Sequence, residues 1–194
     1  MEILDSQTEA LCGFLGATSD IHKDSKVCVI DIGGASTEIT VGIPPQEKII
    51  YSKSIEIGVV TLKDLFFSDT QKFDSLIKDA IREYGLIDAD YFVGIGGTFS
   101  SLSAMIMGLK TYDASKVDNS KINIIDLQKL KDHLWHQDST QIYNEYQFLG
   151  QRAQVIKYGA LWSLELMKHF KISTIQASEK DSLEGYCVIN NIKP

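Results

Sequence analysis

An α/β domain built on a mixed sheet, in the ribonuclease-H-like layout, is the fold that three features of this 194-residue sequence predict. The first is element order: three successive strands that can pair antiparallel, then strands alternating with helical stretches, which suits a mixed sheet with helices on both faces. The second is a pair of glycine-rich turns, at Gly33–Gly34 and at Gly94–Gly97, each closing an apolar strand. The third is composition. With 44% hydrophobic and 23% charged residues the chain is ordinary globular material, long enough for one well-cored domain or for one lobe of something larger.

Taken in order, residues Asp5 to Thr18 read as a helix with Ala10, Leu11, Phe14 and Leu15 on one side and Asp5 or Ser6 as cap, so that residues 1–26 form a hinge or linker segment before a domain spanning 27–194. Val27 to Val41 (VCVIDIGGASTEITV) is a strand, a tight glycine turn and a second alternating strand. Pro44 and Pro45 mark a turn, and Lys48 to Ile57 is a third strand. Helical periodicity follows in Val60 to Phe67 and in Phe73, Leu76, Ile77, Ala80, Ile81 and Tyr84, with Gly85 as the stop. A short strand, Tyr91 to Val93, leads through the second glycine turn into a helix from Phe99 to Met107, with Thr98 as its N-cap. Residues of about 109–172 read as an all-helical insertion, with Leu127, Leu130 and Leu134 on one helix and a long apolar helix from Gln151 to Phe170, where Gly159 and Ala160 admit a close neighbour. A fifth strand, Ser173 to Ala177, and a helix, Asp181 to Asn191, end the chain.

The chemistry concentrates at the two turns. Glycines at 33 and 34 let backbone N–H groups reach an anion, and the hydroxyls of Ser36 and Thr37 stand ready as further donors, which makes this turn a phosphate cradle. Asp31, at the carboxyl end of the first strand, suits a hydrated Mg²⁺ held against that phosphate, because hard cations prefer carboxylate and water oxygens. Gly96, Gly97 and Thr98, opening the next helix, offer a second set of amides to phosphate. This second loop fails as a dinucleotide fingerprint, since Phe99 stands where the third glycine belongs.

Other classes are disfavoured. A net charge of −7 with two arginines, Arg82 and Arg152, lacks the basic stripe of a nucleic-acid surface. No apolar run matches a bilayer span and the start is unlike a signal peptide, so a cytoplasmic protein is expected. Cys12, Cys28 and Cys187 are far apart and read as buried thiols. His133 and His136 lie at i, i+3 with Asp132 adjacent, but His136 falls away from the Leu127, Leu130 and Leu134 face and reads as solvated, so no metal site is expected there, and Trp135 and Trp162 read as core or interface residues.

The run D-I-G-G-A-S-T-E at Asp31 to Glu38 closely resembles the D-I-G-G-G-S-T-E signature of the exopolyphosphatase and guanosine pentaphosphate phosphohydrolase (Ppx/GppA) family; G-I-G-G-T at Gly94 to Thr98 resembles its second loop, and R-A-Q-V-I-K-Y-G at Arg152 to Gly159 its R-A-D-V-I-x-x-G helix. That resemblance implies the actin-like ATPase and sugar-kinase superfamily, in which two ribonuclease-H-like domains close over a phosphate chain, and it covers only the second of them, with a mixed five-stranded sheet. It implies hydrolysis of the terminal phosphate of inorganic polyphosphate or guanosine pentaphosphate with Mg²⁺, and an N-terminal domain as partner. L-D-S-Q-T-E-A at Leu4 to Ala10 is similar to the family's I-S-G-x-E-E-A, which makes Glu9 the general base; read alone, Glu9 is a solvated helical glutamate. Glu38 matches the signature's own glutamate and would share metal-bound water with Asp31 or assist the base.

Two departures carry expectations. Ala35 replaces a third glycine, so it should have negative φ while Gly33 and Gly34 carry the unusual geometry. In S-E-K-D-S-L-E-G at Ser178 to Gly185, Asp181 and Leu183 replace the family's glycine and arginine; Lys180 is then either the substitute cation or a solvated loop lysine. The expected protein is the C-terminal half of a Ppx/GppA-type phosphohydrolase core, prone to form a homodimer. Its rivals are a non-catalytic phosphate- or nucleotide-binding regulatory module and an actin-like structural protein.

Overall fold

The computed structural model describes residues 6–21, 24–68 and 72–190; the side chains of Ser6, Gln7, Glu9 and Pro45 lie outside the described residues, as do Asp5 and His22. Its elements are α1 (Ser6–Ala17), β1 (Val27–Ile32), β2 (Thr37–Ile43), β3 (Lys48–Ile55), α2 (Val59–Ser68), α3 (Phe73–Arg82), β4 (Tyr91–Ile95), α4 (Gly96–Ile106), α5 (Ala114–Val117), β5 (Lys121–Asn123), α6 (Ile124–Trp135), α7 (Ser139–Glu145), α8 (Ile156–His169), β6 (Thr174–Ala177) and α9 (Ser182–Ile189). The strands lie in the order β3-β2-β1-β4-β6-β5. β1, β2 and β3 pair antiparallel, β4 runs parallel to β1 and to β6, and β5 closes the far edge antiparallel to β6.

The sheet therefore has six strands where five were expected, and the insertion is not all-helical. Lys121–Asn123 is a strand too short to show period-two alternation; Asn123 ends it by accepting a hydrogen bond from the Ile125 amide and capping α6. The long helix expected from Gln151 to Phe170 is also divided. Gln147–Gln154 is 3₁₀, with Gly150 at φ 54, ψ −126, and Val155 leaves helical geometry at φ −129 before α8 begins.

Strand alternation sorts the two faces. Cys28, Ile30, Ile32, Ile39 and Val41 join the larger core with Phe99, Leu102 and Trp162, whereas Val27 and Val29 pack with Phe14, Leu15, Val93 and Ile95 beneath α1. Asp31 follows Val27 and Val29 on the α1 face. In β2, Glu38 and Thr40 share that face while Thr37 points the other way. The α1 helix lies against α9 so closely that a Cβ on Gly185 would stand 1.7 Å from the Cys12 carbonyl oxygen. On the opposite side α8 crosses α4 and α2 at Gly159, where a Cβ would meet Thr98 Cγ2 at 2.8 Å and Val59 Cγ1 at 3.2 Å, as the small residues there led us to expect.

Candidate active site at the ends of β1 and β4

Asp31 and Glu38 are direct cross-strand partners, and Ser54 and Ile95 extend the same row to β3 and β4. All four line a cavity of about 1100 Å³ between the sheet and α1, together with Ser36, Thr40, Ser52 and Ser182. Asp31 makes no hydrogen bond or ion pair among the described residues. Burial raises its carboxyl to about 6, with the charges of Glu38 and Asp181 pushing in the same direction. A half-buried carboxylate with two acidic neighbours and no basic partner is the environment a cation would relieve. No group of three or more His, Cys, Asp or Glu residues preformed for a metal occurs among the described residues. The donor set thus fits a hydrated ion held by one or two carboxylates and by phosphate oxygens, the usual mode for Mg²⁺.

The first turn differs from expectation in how its glycines act. Neither Gly33 nor Gly34 has positive φ, and Ala35, as expected, has none either; the left-handed glycine of the site is Gly96, at φ +79. The Gly33 amide is spent on the Ser36 carbonyl at 3.0 Å, and the carbonyls of Gly33 and Gly34 accept the Val59 and Val60 amides that open α2. The amides of Gly34, Ala35 and Ser36 have no backbone acceptor among the described residues, and Gly34 and Ala35 are exposed.

Thr37 and Thr98 are placed otherwise than expected. The Thr37 hydroxyl donates to the Ile57 carbonyl at 2.5 Å and accepts from Trp162 Nε1 at 2.9 Å, and the residue is fully buried. It braces the turn from the core side and offers nothing to a ligand. Thr98 does not cap α4: Ile95 occupies that position without a side-chain bond, and Thr98, in the first turn, donates to the Ile32 carbonyl at 2.8 Å, tying α4 to the end of β1. The first-turn amides of α4 at Gly96 and Gly97 therefore lack a side-chain acceptor, consistent with a role in anion binding. Glu9 lies on α1, whose next turn, at Ala10, Leu11 and Gly13, lines the large cavity; its side chain is outside the described residues.

Two residues that sequence reasoning did not place at the site belong to it. Arg152 lays its guanidinium over Gly97, where a Cβ would come within 2.6 Å of Nη2. It lines both a cavity of about 280 Å³ with Gly33, Gly34 and Thr98 and one of about 340 Å³ with Gly96, Ser100, Tyr112, Glu179 and Asp181. It makes no hydrogen bond or ion pair among the described residues, whereas Lys180 is committed to Asp20 Oδ2 at 2.5 Å and Ser19 Oγ at 3.1 Å. Asp181 caps α9 in a capping box with Glu184 and aims charge at Asp31. The signals were available: Arg152 is one of two arginines, and D-x-x-E is a cap signature. Neither shows by itself which loop it faces.

A family model, the Ppx/GppA phosphatase family, matches residues 1–190. Exopolyphosphatase 2 of Mycobacterium tuberculosis is 28% identical over 200 residues, covering 95% of this chain and 62% of its own length. A guanosine-5'-triphosphate,3'-diphosphate pyrophosphatase of Vibrio campbellii is 28% identical over 146 residues, covering 69% of this chain and 29% of its own length. The structure of an Aquifex aeolicus PPX-GPPA enzyme superposes with a TM-score of 0.87 at 25% identity, over 97% of this chain and 64% of that one. The chain thus spans less than two thirds of the length of these relatives. No helix among the described residues is long and apolar enough to cross a membrane.

Proposed function

Because the chain belongs to the Ppx/GppA phosphatase family, we propose that it supplies one wall of a cytoplasmic phosphohydrolase that removes the terminal phosphate from inorganic polyphosphate or guanosine pentaphosphate, as the C-terminal half of the catalytic core. The observation that carries this reading is the row Asp31–Glu38 standing beside two sets of uncommitted backbone amides, at Gly34–Ser36 and at Gly96–Gly97, with the Arg152 guanidinium between the loops.

In this reading Asp31, assisted by Glu38, holds Mg²⁺, which when bound neutralises charge on the phosphate chain and orients it. The amides of both loops and Arg152 bind the terminal phosphoryl oxygens, the guanidinium doing so by a planar fork that Lys180, already paired with Asp20, does not offer. Thr98 and Thr37 act from behind, fixing the loops to each other and to the core. Glu9, on α1, takes the proton of water attacking in line. The facing wall comes from the part of a relative-length protein that this stretch does not include, an N-terminal domain, and a homodimer is the expected assembly.

Phosphate release from polyphosphate and from guanosine pentaphosphate, assayed side by side with and without Mg²⁺ in a protein of relative length carrying this sequence, tests the reading. Mg²⁺-dependent release from either supports it. Tight Mg²⁺-dependent binding with no turnover would replace it with a regulatory binding module, and filament formation without either would point to an actin-like structural role.

A further inference from the structure

The geometry points to Ser54 as a positioning residue for Glu38, one whose hydroxyl sets which carboxylate oxygen faces Asp31. This deepens the proposed function and rests on it for the part that concerns the metal. Ser54 stands opposite Glu38 in the β2–β3 register and donates its Oγ–H to Oε1 at 2.7 Å. That is the one hydrogen bond Glu38 receives among the described residues, and no cation pairs with it. On its other side Glu38 faces Asp31 across β1–β2. A glutamate has three side-chain torsions, so beside a second carboxylate it would swing outward to water unless something held it. Ser54 supplies that hold from the strand on the side away from Asp31 and leaves Oε2 without a hydrogen-bond partner among the described residues.

The neighbouring rung separates this role from generic strand polarity. Thr40 and Ser52 pair in the same register on the same face, and their hydroxyls lie 3.3 Å apart, bonded to each other, with no hydrogen bond to either acid among the described residues. Both rungs line the large cavity, and their serines are both exposed on the same strand; they differ in whether the serine reaches a carboxylate. Partners that orient a metal-binding group typically matter about 10- to 100-fold in metal affinity when removed.

The experiment uses the present chain. In the metal-free protein, the side-chain carboxyl ¹³C resonance of Glu38 should move in Ser54→Ala, return in Ser54→Thr and stay in place in Ser52→Ala, with unfolding midpoints unchanged. Calorimetry of Mg²⁺ with tripolyphosphate should show affinity about tenfold weaker in Ser54→Ala, restored in Ser54→Thr, and no further loss when Ser54→Ala is added to Glu38→Gln, since the effect runs through Glu38. A Glu38 resonance indifferent to Ser54→Ala overturns the positioning role whatever the metal does. If the resonance moves as stated but the parent shows no Mg²⁺-dependent binding, the positioning of Glu38 stands and the phosphohydrolase reading falls. An equal loss from Ser54→Ala in the Glu38→Gln background would also overturn it, by showing that Ser54 acts directly.

Discussion

Gly96 and Asp31 share a contact that admits no side chain on the glycine: a Cβ at position 96 would stand 2.6 Å from Asp31 Oδ1, and the backbone there has φ +79. One residue thus turns β4 into α4 and leaves room for the carboxylate of the neighbouring strand. Gly96→Ala should cost about 1–2 kcal/mol from left-handed backbone alone and displace Asp31, abolishing Mg²⁺-dependent tripolyphosphate binding. Gly34→Ala, at an exposed position without positive φ, should leave stability within about 0.5 kcal/mol of the parent. Urea unfolding and calorimetry on both variants check the contrast; equal destabilisation would refute it.

Asp31 makes the metal-free protein sensitive to pH. Its carboxyl moves from 3.8 to about 6 on folding, so the folded state holds the proton more tightly than the unfolded state does. A raised carboxyl favours the fold while protonated, and that contribution is lost as pH climbs through the window from its unfolded to its folded value. Stability should therefore fall across that window by at most roughly 3 kcal/mol, and Asp31→Asn should flatten the curve. Above the window, Mg²⁺ should stabilise the parent and not Asp31→Asn. Urea melts at a series of pH values decide it, and a parent curve that rises with pH there would contradict the assignment.

Thr37→Val keeps the shape but strips the acceptor from Trp162 Nε1–H and the donor from the Ile57 carbonyl. The expected loss is about 1–3 kcal/mol, the usual range for a buried polar group left unsatisfied, with tripolyphosphate affinity unchanged once the protein is folded. Weakened anion binding at full stability would instead restore the hydroxyl as a ligand donor.

Arg152→Gln should weaken tripolyphosphate binding by about tenfold or more, since a charge-assisted bond to an anion typically contributes about 1.5–3 kcal/mol. Arg152→Lys should recover part of that, keeping charge but losing the fork. Lys180→Gln should leave affinity where it is, because that lysine is already paired with Asp20. Calorimetry on the three variants ranks them, and a larger loss at Lys180 than at Arg152 would reverse the assignment.

Within a complete two-domain protein, Glu9→Gln should lower kcat by about 10² or more with little change in KM, as removal of a general base does. If the chain supplies one wall of the cleft as proposed, it should hydrolyse near background alone, since a half-cleft open to water would forfeit positioning and solvent exclusion, and an N-terminal half from a relative added in trans should raise the rate. Full activity from the chain by itself would mean that self-association completes the cleft, which gel filtration of the active species would reveal.

The sequence by itself determined the α/β class, the two glycine loops, Asp31 at a strand end and the resemblance that named the family, because local periodicity and short motifs are written in contiguous residues. Alternation even carried the clue that Thr37, sharing a face with Ile39 and Val41, belongs to the core and Glu38 to the cavity. Only the tertiary structure decided the rest. That the left-handed glycine is Gly96 and not Gly33 or Gly34 follows from where β4 places Asp31's neighbour. Arg152 reaches Gly97 from a 3₁₀ segment about 55 residues further along the chain, while Lys180, three residues from the vacant arginine position at Leu183, is drawn off to Asp20. The sixth strand has only three residues, and its pairing with β6 comes from the edge it finds. These are long-range contacts, set by packing between segments distant in sequence, and no window of neighbouring residues encodes them.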